Sequence, residues 1–486
     1  MSASSASAPR PADLSVDLVV LGAGTAGLRA RVVARARGLR VLLVDPGPLG
    51  TTCARVGCMP SKLLIAAAEA AHAAEGAHRF GADLPRKAQV DGPAVMARVR
   101  SERDRFVGFT LETTDQLGED ELWRGRGRLL GGGQVGVTGA DGAERVVSAG
   151  AVVIATGSRP QIFPMFAALG DRMIVNDDVF DWTDLPESVA VFGPGVIGLE
   201  LGQALHRLGV RVRIFGVGGA VGPLSDPQIR AAAQAAIGSE LPLHPDARID
   251  AVERTADGVR VRWVADQATG GPVDEEEFAL ALIATGRRPN TDQLGLEALG
   301  LALDRRGLPP VDPETLQVGG LPVFLAGDAL AERPLLHEAA DEGAHAGENA
   351  ARLVKGEPLA ALRRRSALSV LFTSPQIALV GQRWAALDPA QVVVGAVDMG
   401  DQGRSRVGLR NQGRIHVYAA RGSMKLLGAE LVGPDAEHLA HLLAWTHQLG
   451  LTVPEVLALP FYHPVVEEGL RTALRDAAAQ LGSAAR

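Results

Sequence analysis

Cysteine is almost absent from this chain. Among its 486 residues there are two cysteines, Cys53 and Cys58. A secreted disulfide framework uses more cysteines, spread along the chain. A structural zinc site needs about four ligands, and no histidine is close to these two cysteines in the sequence. The two cysteines are therefore predicted to form a local redox pair, and no metal site is predicted.

Basic charge and long apolar runs are lacking as well. The formal net charge of −7 argues against a nucleic-acid partner, since nucleic-acid-binding proteins usually present a basic surface. No apolar run approaches the length of a membrane span, and no signal-peptide pattern opens the chain. We therefore expect a cytoplasmic protein without a membrane partner. The small, polar residues 1–13 are predicted to form a disordered tail.

A glycine-rich loop follows the first apolar segment. Residues 16–21 (VDLVVL) predict a buried strand, which leads into Gly22-Ala-Gly24-Thr-Ala-Gly27. A helix is predicted to about Gly38, and the next strand (VLLV) ends on Asp45. Strand, loop, helix, strand and acid together form the dinucleotide fingerprint. In such a loop the glycines let the backbone approach a pyrophosphate at the helix N-terminus, and the acid binds ribose hydroxyls.

The same arrangement recurs further along the chain. SVAVF at 188–192 leads into Gly193-Pro-Gly195-Val-Ile-Gly198, a predicted helix to about Leu208 and a further strand. Each copy is closed by a near-identical segment, IATGSRP at 154–160 and IATGRRP at 283–289. Two copies predict two dinucleotide sites, and the cysteines follow the Asp45 strand of the first.

The cysteine segment reads Gly50-Thr-Thr-Cys53-Ala-Arg-Val-Gly57-Cys58-Met-Pro60-Ser-Lys62. An undistorted helix holds positions i and i+5 too far apart for a disulfide, so a bent first turn is predicted, with Gly57 supplying the backbone freedom. Pro60 suits a helix start, and a helix N-terminus favours a thiolate. The alternative is a pair of small buried residues, which the redox context makes less favoured.

With its Cys-x4-Cys-Met-Pro-Ser-Lys signature, the chain resembles the class I pyridine nucleotide-disulfide oxidoreductases, and among them the dihydrolipoamide dehydrogenase branch. The resemblance implies FAD and NAD as cofactors. It implies that Cys53 exchanges with the substrate and that Cys58 lies against the flavin. It also implies that Lys62 sits near the flavin and pairs with Glu200 of the second glycine motif.

Further cofactor contacts are implied by the same resemblance. Val323-Phe-Leu-Ala-Gly327-Asp328 looks like the strand whose aspartate contacts the flavin ribityl chain, and Leu335-Leu336-His337 follows where the family again touches FAD. An alternative for His337, that it only caps or packs at a helix start, stays open. The remaining predicted cofactor-binding residues lie in or near the two repeats: Gly127, Thr156, Gly157, Ser158 and Gly286.

Beyond about residue 362, short strands and two helices near 435–449 and 464–480 predict an antiparallel sheet with helices. This matches the family's dimerisation domain. His463, followed by Pro464 and Glu468, occupies the place of the family's His-Pro-Thr-x-x-Glu element. There the histidine reaches the partner subunit and acts as acid and base on the substrate thiol. His463 and Glu468 are therefore predicted catalytic residues of an obligate homodimer.

The predicted fold class is α/β, with two Rossmann-like dinucleotide-binding domains and a C-terminal α+β dimerisation domain. The predicted domain boundaries, in chain order, are a tail at 1–13, an FAD-binding domain at 14–160, an NAD(P)-binding domain at 161–287, a central domain completing the FAD site at 288–360 and the dimerisation domain at 361–486.

The chain differs from family relatives at several places. Gly216 stands where NAD-using relatives carry a ribose-binding carboxylate, yet no arginine for a 2′-phosphate follows it, so NAD is favoured and NADP stays open. Val196 replaces the tyrosine of glutathione reductases, which favours the lipoamide branch. Val465-Val466-Glu467 replaces the family's run after the histidine, which leaves the identity of the substrate less certain than the reaction type.

The leading hypothesis is oxidation of a dihydrolipoamide-like dithiol, with electrons passing through Cys53–Cys58 and FAD to NAD. The physiological partner would be a separate lipoylated carrier protein. One alternative is an NAD(P)H-dependent reductase of another low-molecular disulfide, and a weaker one is a quinone-reducing diaphorase. From a different class, a non-catalytic FAD redox sensor or assembly subunit is also possible, although the intact second nucleotide motif disfavours it.

Overall fold

A computed structural model describes residues 11–84 and 88–484 of the protein. Most of the predicted tail, residues 1–10, lies outside the described residues. Its last residue does not fit the prediction: Asp13 donates its N–H to Val146 O at 2.8 Å and accepts from Val146 N at 2.7 Å. Ordered structure therefore begins before residue 14, because Asp13 is already hydrogen-bonded to Val146.

The strands of the described chain range from two to eleven residues. In chain order they are β1 (Leu14–Leu21), β2 (Val41–Asp45), β3 (Leu122–Gly131), β4 (Gln134–Gly139), β5 (Glu144–Ile154), β6 (Ser158–Pro160), β7 (Met173–Ile174), β8 (Ser188–Phe192), β9 (Arg211–Phe215), β10 (Leu243–His244), β11 (Arg248–Arg254), β12 (Val259–Val264), β13 (Asp274–Phe278), β14 (Leu280–Ile283), β15 (Arg287–Pro289), β16 (Val323–Leu325), β17 (Leu368–Leu371), β18 (Gln376–Gly381), β19 (Val392–Asp398), β20 (Arg414–Ala420) and β21 (Leu426–Gly433).

The α-helices range from single turns to helices of several turns. In chain order they are α1 (Thr25–Ala36), α2 (Thr52–Val56), α3 (Cys58–Gly76), α4 (Gly92–Thr114), α5 (Asn176–Val179), α6 (Val196–Arg207), α7 (Pro227–Gly238), α8 (Leu336–Val354), α9 (Gly403–Val407), α10 (Ala436–Gln448), α11 (Val453–Leu457) and α12 (Glu467–Ala484). None of the helices formed by the described residues combines the length and hydropathy that crossing a membrane requires.

The chain divides into two compact units. The first contains the described residues up to Pro60, Ser101–Gln161 and Arg287–Arg364. Its parallel strands lie in the order β16, β5, β1, β2, β3, and β4 joins β3 to β5 by antiparallel pairing. Residues 18–21 of β1, 41–44 of β2 and 151–154 of β5 are all buried and apolar, as expected for the centre of a parallel sheet covered on both sides.

Small residues let two helices of this unit approach closely. A Cβ at Gly343 of α8 would lie 2.1 Å from the carbonyl oxygen of Ala26 in α1. A Cβ at Gly347 would lie 2.4 Å from that of Ala30, so both positions of α8 accept only glycine at this separation. This packing holds α1, and with it the first glycine loop, against α8.

The two near-identical closing segments meet in the first unit. β6 and β15 pair antiparallel, with Ser158 opposite Pro289 and Pro160 opposite Arg287. The ends of both sequence repeats are therefore joined by one two-stranded ribbon, a pairing that the sequence did not predict.

The second unit contains Ser61–Arg100, Ile162–Gly286 and the described residues from Arg365. It holds a parallel sheet in the order β10, β9, β8, β14, β7 and a three-stranded antiparallel sheet, β11 to β13. Its third sheet is antiparallel, in the order β17, β18, β21, β20, β19, and shares one apolar core with α10 and α12. The predicted fold class is thus confirmed, with two dinucleotide-type α/β sheets and a C-terminal α+β domain.

A buried polar cluster links α7 to the antiparallel sheet within this unit. Asp226, which caps α7, accepts from His416 Nδ1 at 2.7 Å and from the Tyr418 hydroxyl at 3.0 Å. Glu430, fully buried on β21, accepts from the backbone N–H groups of Ser225 and Asp226 at 2.8 and 2.9 Å. Buried carboxylates are costly unless hydrogen-bonded, and here each has several donors.

Candidate active site

The first glycine loop requires glycine at two positions and leaves space at the third. Gly22 has a φ of +104°, and a Cβ there would lie 2.3 Å from Ala155 O. A Cβ at Gly27 would lie 1.9 Å from Gly22 O, whereas a Cβ at Gly24 would meet nothing within 4 Å. Gly24 is the N-cap of α1 and caps it without a side chain. The start of α1 therefore presents backbone N–H groups to open space, which fits a pyrophosphate.

Asp45 ends β2 beside this loop. One carboxylate oxygen accepts from Ala23 N at 2.7 Å, and the other accepts from Gly47 N at 2.6 Å. These two bonds fix the carboxylate at the carboxyl edge of the sheet, next to the glycine loop. Each oxygen keeps lone-pair capacity for ribose hydroxyls, so the predicted position of Asp45 suits FAD binding.

The second glycine loop repeats this geometry. A Cβ at Gly193 would lie 2.4 Å from Ala284 O, and one at Gly198 would lie 1.9 Å from Gly193 O. A Cβ at Gly195, the N-cap of α6, would again meet nothing within 4 Å. Each glycine loop, together with the helix start that follows it, therefore forms a nucleotide cradle, and the second cradle has the same geometry as the first.

The residues that follow β5 form hydrogen bonds with residues of the β15 segment and with the residue Asp328 that follows β16. The Ser158 hydroxyl donates to Asp328 Oδ2 at 2.7 Å and accepts from Arg287 Nε at 2.9 Å. The Thr156 hydroxyl donates to Asn290 O at 2.7 Å. These contacts fix Asp328 at the end of the parallel sheet that also carries Asp45. Arg287 is a member of this network that sequence reasoning missed, although the second closing segment contained it.

The other predicted cofactor contacts have varied surroundings. Gly157 has a φ of +71° and Gly286 a φ of +108°, backbone conformations that favour glycine. Gly127 lies in β3, where a Cβ would come within 2.5 Å of the Leu21 side chain, so a larger residue would have to displace that side chain. Leu335 is the N-cap of α8, and Leu336 and His337 are exposed in its first turn.

Cys53 and Cys58 lie on either side of a helix break. α2 ends at Val56, Gly57 has non-helical angles (φ −131°, ψ −119°), and α3 begins at Cys58. A Cβ at Gly57 would lie 3.0 Å from Thr52 O, so a side chain here would require the turn to shift slightly. The predicted bend between the cysteines is therefore confirmed. Cys53 is half-buried and Cys58 is exposed at the start of the helix.

Lys62 and Glu200 form the predicted ion pair. Lys62 Nζ lies 2.8 Å from Glu200 Oε2, and the Glu200 side chain is only 4% exposed. Glu200 Oε1 accepts from the backbone N–H of Phe372 at 2.9 Å, and Lys62 Nζ lies 4.6 Å from the centre of the Phe372 ring. The ammonium is thus held by a carboxylate and an aromatic face. Phe372 was missed from sequence because its position depends on tertiary structure.

His463 and Glu468 also form the predicted pair. His463 Nδ1 lies 2.9 Å from Glu468 Oε2, and the His463 side chain is 80% exposed. Arg471 donates to the other oxygen of Glu468 at 2.8 Å. Partial burial raises the pKa of Glu468, but the hydrogen bond and charge of His463 outweigh it, so this pKa lies below its ordinary value. A carboxylate that orients an imidazole leaves Nε2 available for proton transfer.

Within residues 11–84 and 88–484, no three His, Cys, Asp or Glu side chains are grouped so as to hold a metal ion. The first unit thus holds a nucleotide cradle and a cysteine pair at a helix start, and the second unit holds a further nucleotide cradle, a lysine–glutamate pair and a histidine–glutamate pair.

Comparison with known proteins identifies the family to which a chain with these features belongs. Residues 16–344 match the family model described as pyridine nucleotide-disulphide oxidoreductase, and residues 368–474 match the dimerisation domain of the same family. A dihydrolipoyl dehydrogenase of Thermus scotoductus is 32% identical over 94% of this chain and 96% of its own length. A mercuric reductase of Streptomyces lividans is 31% identical over 92% of this chain and 93% of its own.

Among solved structures, LpdA from Mycobacterium tuberculosis superposes with a TM-score of 0.78 and 26% identity, covering 95% of this chain and 99% of that one. The chain therefore belongs to the pyridine nucleotide-disulphide oxidoreductase family, and it is a homodimeric flavoprotein disulfide oxidoreductase that uses FAD and NAD(H).

Proposed function

We propose that the protein is a dihydrolipoyl dehydrogenase, which oxidises a dihydrolipoyl-type dithiol and reduces NAD. The observation that carries this proposal is the cysteine pair, held on either side of the break at Gly57 at the start of α3. The nearly full-length similarity to a dihydrolipoyl dehydrogenase supports the choice of substrate. The mercuric reductase relative is almost as similar, so the substrate needs its own test.

The roles of the site residues are part of the proposal. We assign the first cradle, with Asp45, to FAD and the second to NAD, in agreement with the domain boundaries predicted from the sequence. The proposed FAD contacts are Gly22, Gly24, Gly27, Asp45, Lys62, Gly127, Thr156, Gly157, Ser158, Asp328, Leu335, Leu336 and His337. The proposed contacts or supports of the NAD site are Gly193, Gly195, Gly198, Glu200 and Gly286.

The proposed chemistry is a thiol–disulfide exchange. A substrate thiol loses its proton to His463, and the resulting thiolate attacks Cys53 Sγ of an oxidised Cys53–Cys58 pair. The sulfur–sulfur bond breaks and Cys58 leaves as a thiolate, which the start of α3 stabilises. The second substrate thiol then attacks the substrate sulfur bound to Cys53, the bond between that sulfur and Cys53 breaks, and the proton of the second thiol passes to the released Cys53 sulfur as the substrate closes its own disulfide. When bound, FAD supplies the route by which the electron pair passes from the reduced cysteines to NAD.

His463 is proposed to serve the cysteine pair of the partner subunit. Its 80% exposure in the single chain leaves the imidazole accessible to a second copy. Glu468 holds Nδ1, so Nε2 is the atom that would exchange a proton with the substrate. In this arrangement neither subunit has a complete site alone.

We also propose a cellular compartment for the enzyme and a source of its dithiol substrate. Only two cysteines are present, and both belong to the proposed redox site, as suits a cytoplasmic compartment that keeps thiols reduced. A lipoylated carrier protein is the proposed source of the dithiol, in keeping with the dihydrolipoyl-type substrate proposed above.

The test uses the purified FAD-loaded protein with free dihydrolipoamide and NAD. We expect turnover with this pair, and we expect Cys53→Ser to abolish it while NADH oxidation by a quinone persists. Persistence of the quinone reaction would show that FAD and the nicotinamide site remain intact. Full dithiol turnover in Cys53→Ser would contradict the proposed chemistry.

A second experiment tests the substrate. NADH and NADPH are each offered with lipoamide, glutathione disulfide, a panel of other low-molecular disulfides and Hg²⁺. Preference for lipoamide supports the proposal. Preference for another disulfide, or for Hg²⁺, would leave the disulfide oxidoreductase chemistry in place and reject the dihydrolipoyl substrate.

A further inference from the structure

Gly216, at the end of β9, has no room for a side chain. A Cβ at this position would lie 2.5 Å from Pro194 Cγ and 2.8 Å from Pro245 O. Pro194 belongs to the second glycine loop, and its ring fills the place from which a strand-end carboxylate would project. The usual carboxylate for adenosine ribose hydroxyls is therefore sterically excluded from this chain.

The neighbouring strand brings another carboxylate to the same place. β10 pairs parallel with β9, with His244 opposite Phe215. Gly216 N donates to His244 O, and Ala247 N donates to Gly216 O, each at 2.8 Å. These bonds hold the residues that follow β10 alongside Gly216.

Asp246 lies at the centre of that segment. Its Oδ1 accepts from Gly218 N at 2.7 Å, across the turn that follows β9. Gly218 and Gly219 have φ values of +75° and +69°, so the turn curls back toward Asp246 in a conformation that suits glycine. The Asp246 carboxylate is half-buried, and this bond occupies only one of its two oxygens.

The topology places this carboxylate at the edge of the sheet where a dinucleotide binds. β8, β9 and β10 are parallel neighbours, so their carboxyl ends share one edge. The second glycine loop follows β8, Gly216 follows β9 and Asp246 follows β10 by two residues. Ligands of open parallel sheets bind beyond this edge.

We infer that Asp246 binds the adenosine ribose hydroxyls of the nicotinamide dinucleotide and makes the protein prefer NAD to NADP. The carboxylate accepts the ribose 2′-hydroxyl, and its negative charge repels a 2′-phosphate. The inference rests on the nicotinamide site and is independent of the identity of the disulfide substrate.

The arginines that flank this segment already have acidic partners. Arg213 on β9 donates to Glu276 Oε2 at 2.8 Å, and its guanidinium also lies 3.0 Å from His244 Nε2. Arg248 donates to Asp250 Oδ1 at 2.9 Å. Neither guanidinium is presented to a 2′-phosphate, which agrees with selection of NAD by Asp246.

The test measures binding without turnover. Dissociation constants of ADP-ribose and 2′-phospho-ADP-ribose are determined by calorimetry on the FAD-loaded protein, for the native chain, Asp246→Asn and Asp257→Asn. Asp257 is an exposed acid in the hairpin between β11 and β12 of the same unit, so its variant controls for loss of one charge. Asparagine at 246 keeps an acceptor for Gly218 N, and the fold should persist.

We expect the native protein to bind ADP-ribose more tightly than its 2′-phosphate. Asp246→Asn should weaken ADP-ribose binding by about tenfold and reduce the discrimination by at least that factor, because a charged hydrogen bond and a repulsion are both lost. Asp257→Asn should change neither constant. An unchanged discrimination in Asp246→Asn, or a native preference for the 2′-phosphate, would overturn the inference.

A measurement on the native chain keeps the inference testable if Asp246→Asn loses FAD or folds poorly. ADP-ribose and 2′-deoxy-ADP-ribose are compared on the native FAD-loaded protein. We expect the deoxy compound to bind about tenfold more weakly. Equal affinities would mean that no protein group binds the 2′-hydroxyl, and the role of Asp246 would be rejected.

Discussion

His463 Nδ1 lies 2.9 Å from Glu468 Oε2, and Arg471 holds the second oxygen of Glu468 at 2.8 Å. The carboxylate is thus fixed by the arginine on one side and fixes the imidazole on the other. Because His463 lowers the pKa of Glu468 against the opposing effect of burial, Glu468 stays ionised throughout the pH range in which thiols react. The imidazole therefore keeps one orientation, with Nε2 directed away from the carboxylate.

Replacing His463 should remove proton transfer without removing the cofactors. We expect His463→Gln to lower kcat for dihydrolipoamide by about a hundredfold or more, a typical contribution of general acid–base catalysis. Glu468→Gln should cause a smaller loss, because the imidazole remains but is no longer oriented. Quinone reduction by NADH should be unaffected in both.

His78→Gln is the matched control for these variants, since His78 is an exposed histidine that bonds a backbone carbonyl, Glu75 O, at 2.7 Å. It should retain native kinetics with both acceptors. A His463→Gln enzyme with more than half of the native dithiol turnover would exclude His463 as the acid–base group.

The two glycine N-caps predict separable cofactor defects. Gly24 and Gly195 have φ values of −79° and −82°, and a Cβ at either position meets nothing within 4 Å. Alanine should therefore fit the protein but clash with a bound pyrophosphate. We expect Gly24→Ala to lose FAD on purification. Gly195→Ala should keep FAD and bind ADP-ribose at least about tenfold more weakly.

Absorbance at the flavin band and calorimetry with ADP-ribose measure the two effects. Loss of FAD in Gly195→Ala, or full FAD content in Gly24→Ala, would contradict the assignment of FAD to the first cradle and the nicotinamide dinucleotide to the second.

Because Lys62 and Glu200 form an ion pair, the effects of replacing them on the unfolding free energy should be coupled. Glu200 is nearly fully buried, so Lys62→Met leaves a buried carboxylate without its cation, and we expect a loss of about 2 kcal/mol in unfolding free energy. Adding Glu200→Gln should recover part of that loss. Lys355→Met, at an exposed lysine, is the control and should change stability little. Denaturant unfolding of Lys62→Met, Glu200→Gln, the double variant and the Lys355→Met control measures the coupling, and additive losses would show that the pair does not interact.

The Asp226–His416 pair predicts a loss of stability in acid. Burial raises the pKa of Asp226, but the hydrogen bond and charge of His416 outweigh it, and the pKa lies below its ordinary value. A depressed carboxyl pKa stabilises the folded state above its unfolded pKa, and this stabilisation disappears as the pH falls through the folded pKa. Stability should therefore decline as the pH falls below about 4.

His416→Gln should lower the unfolding free energy at pH 7 by about 2 kcal/mol and flatten this acid dependence. Denaturant unfolding at pH 7 and pH 3.5 compares the variant with the native protein and with His78→Gln. An equal loss at both pH values would mean that His416 does not act through Asp226.

Much of this architecture could be predicted because its signals are local. The glycine loops, the strands that precede them and the bend at Gly57 depend on residues within one short segment. β13 (Asp274–Phe278, DEEEF) could not be predicted, because acidic residues give no strand pattern. Its charges instead pair across the sheet, as Glu277 does with Arg260 at 2.5 Å.

The same distinction applies to the candidate site. His463 and Glu468 are close in sequence, and Lys62 and Glu200 were named through the family resemblance. Phe372 on Lys62 and Asp246 beside Gly218 bring together separate parts of the chain, and only the folded structure reveals those contacts.

The most direct test of the account is the visible spectrum of the FAD-loaded protein during stepwise anaerobic reduction with NADH. We expect a long-wavelength charge-transfer band after two electrons, because in the proposed chemistry the Cys58 thiolate of the reduced pair would be held beside the flavin. Cys58→Ser should lack the band. Direct bleaching of the native flavin without such a band would contradict the account, because the cysteine pair would then not exchange electrons with FAD.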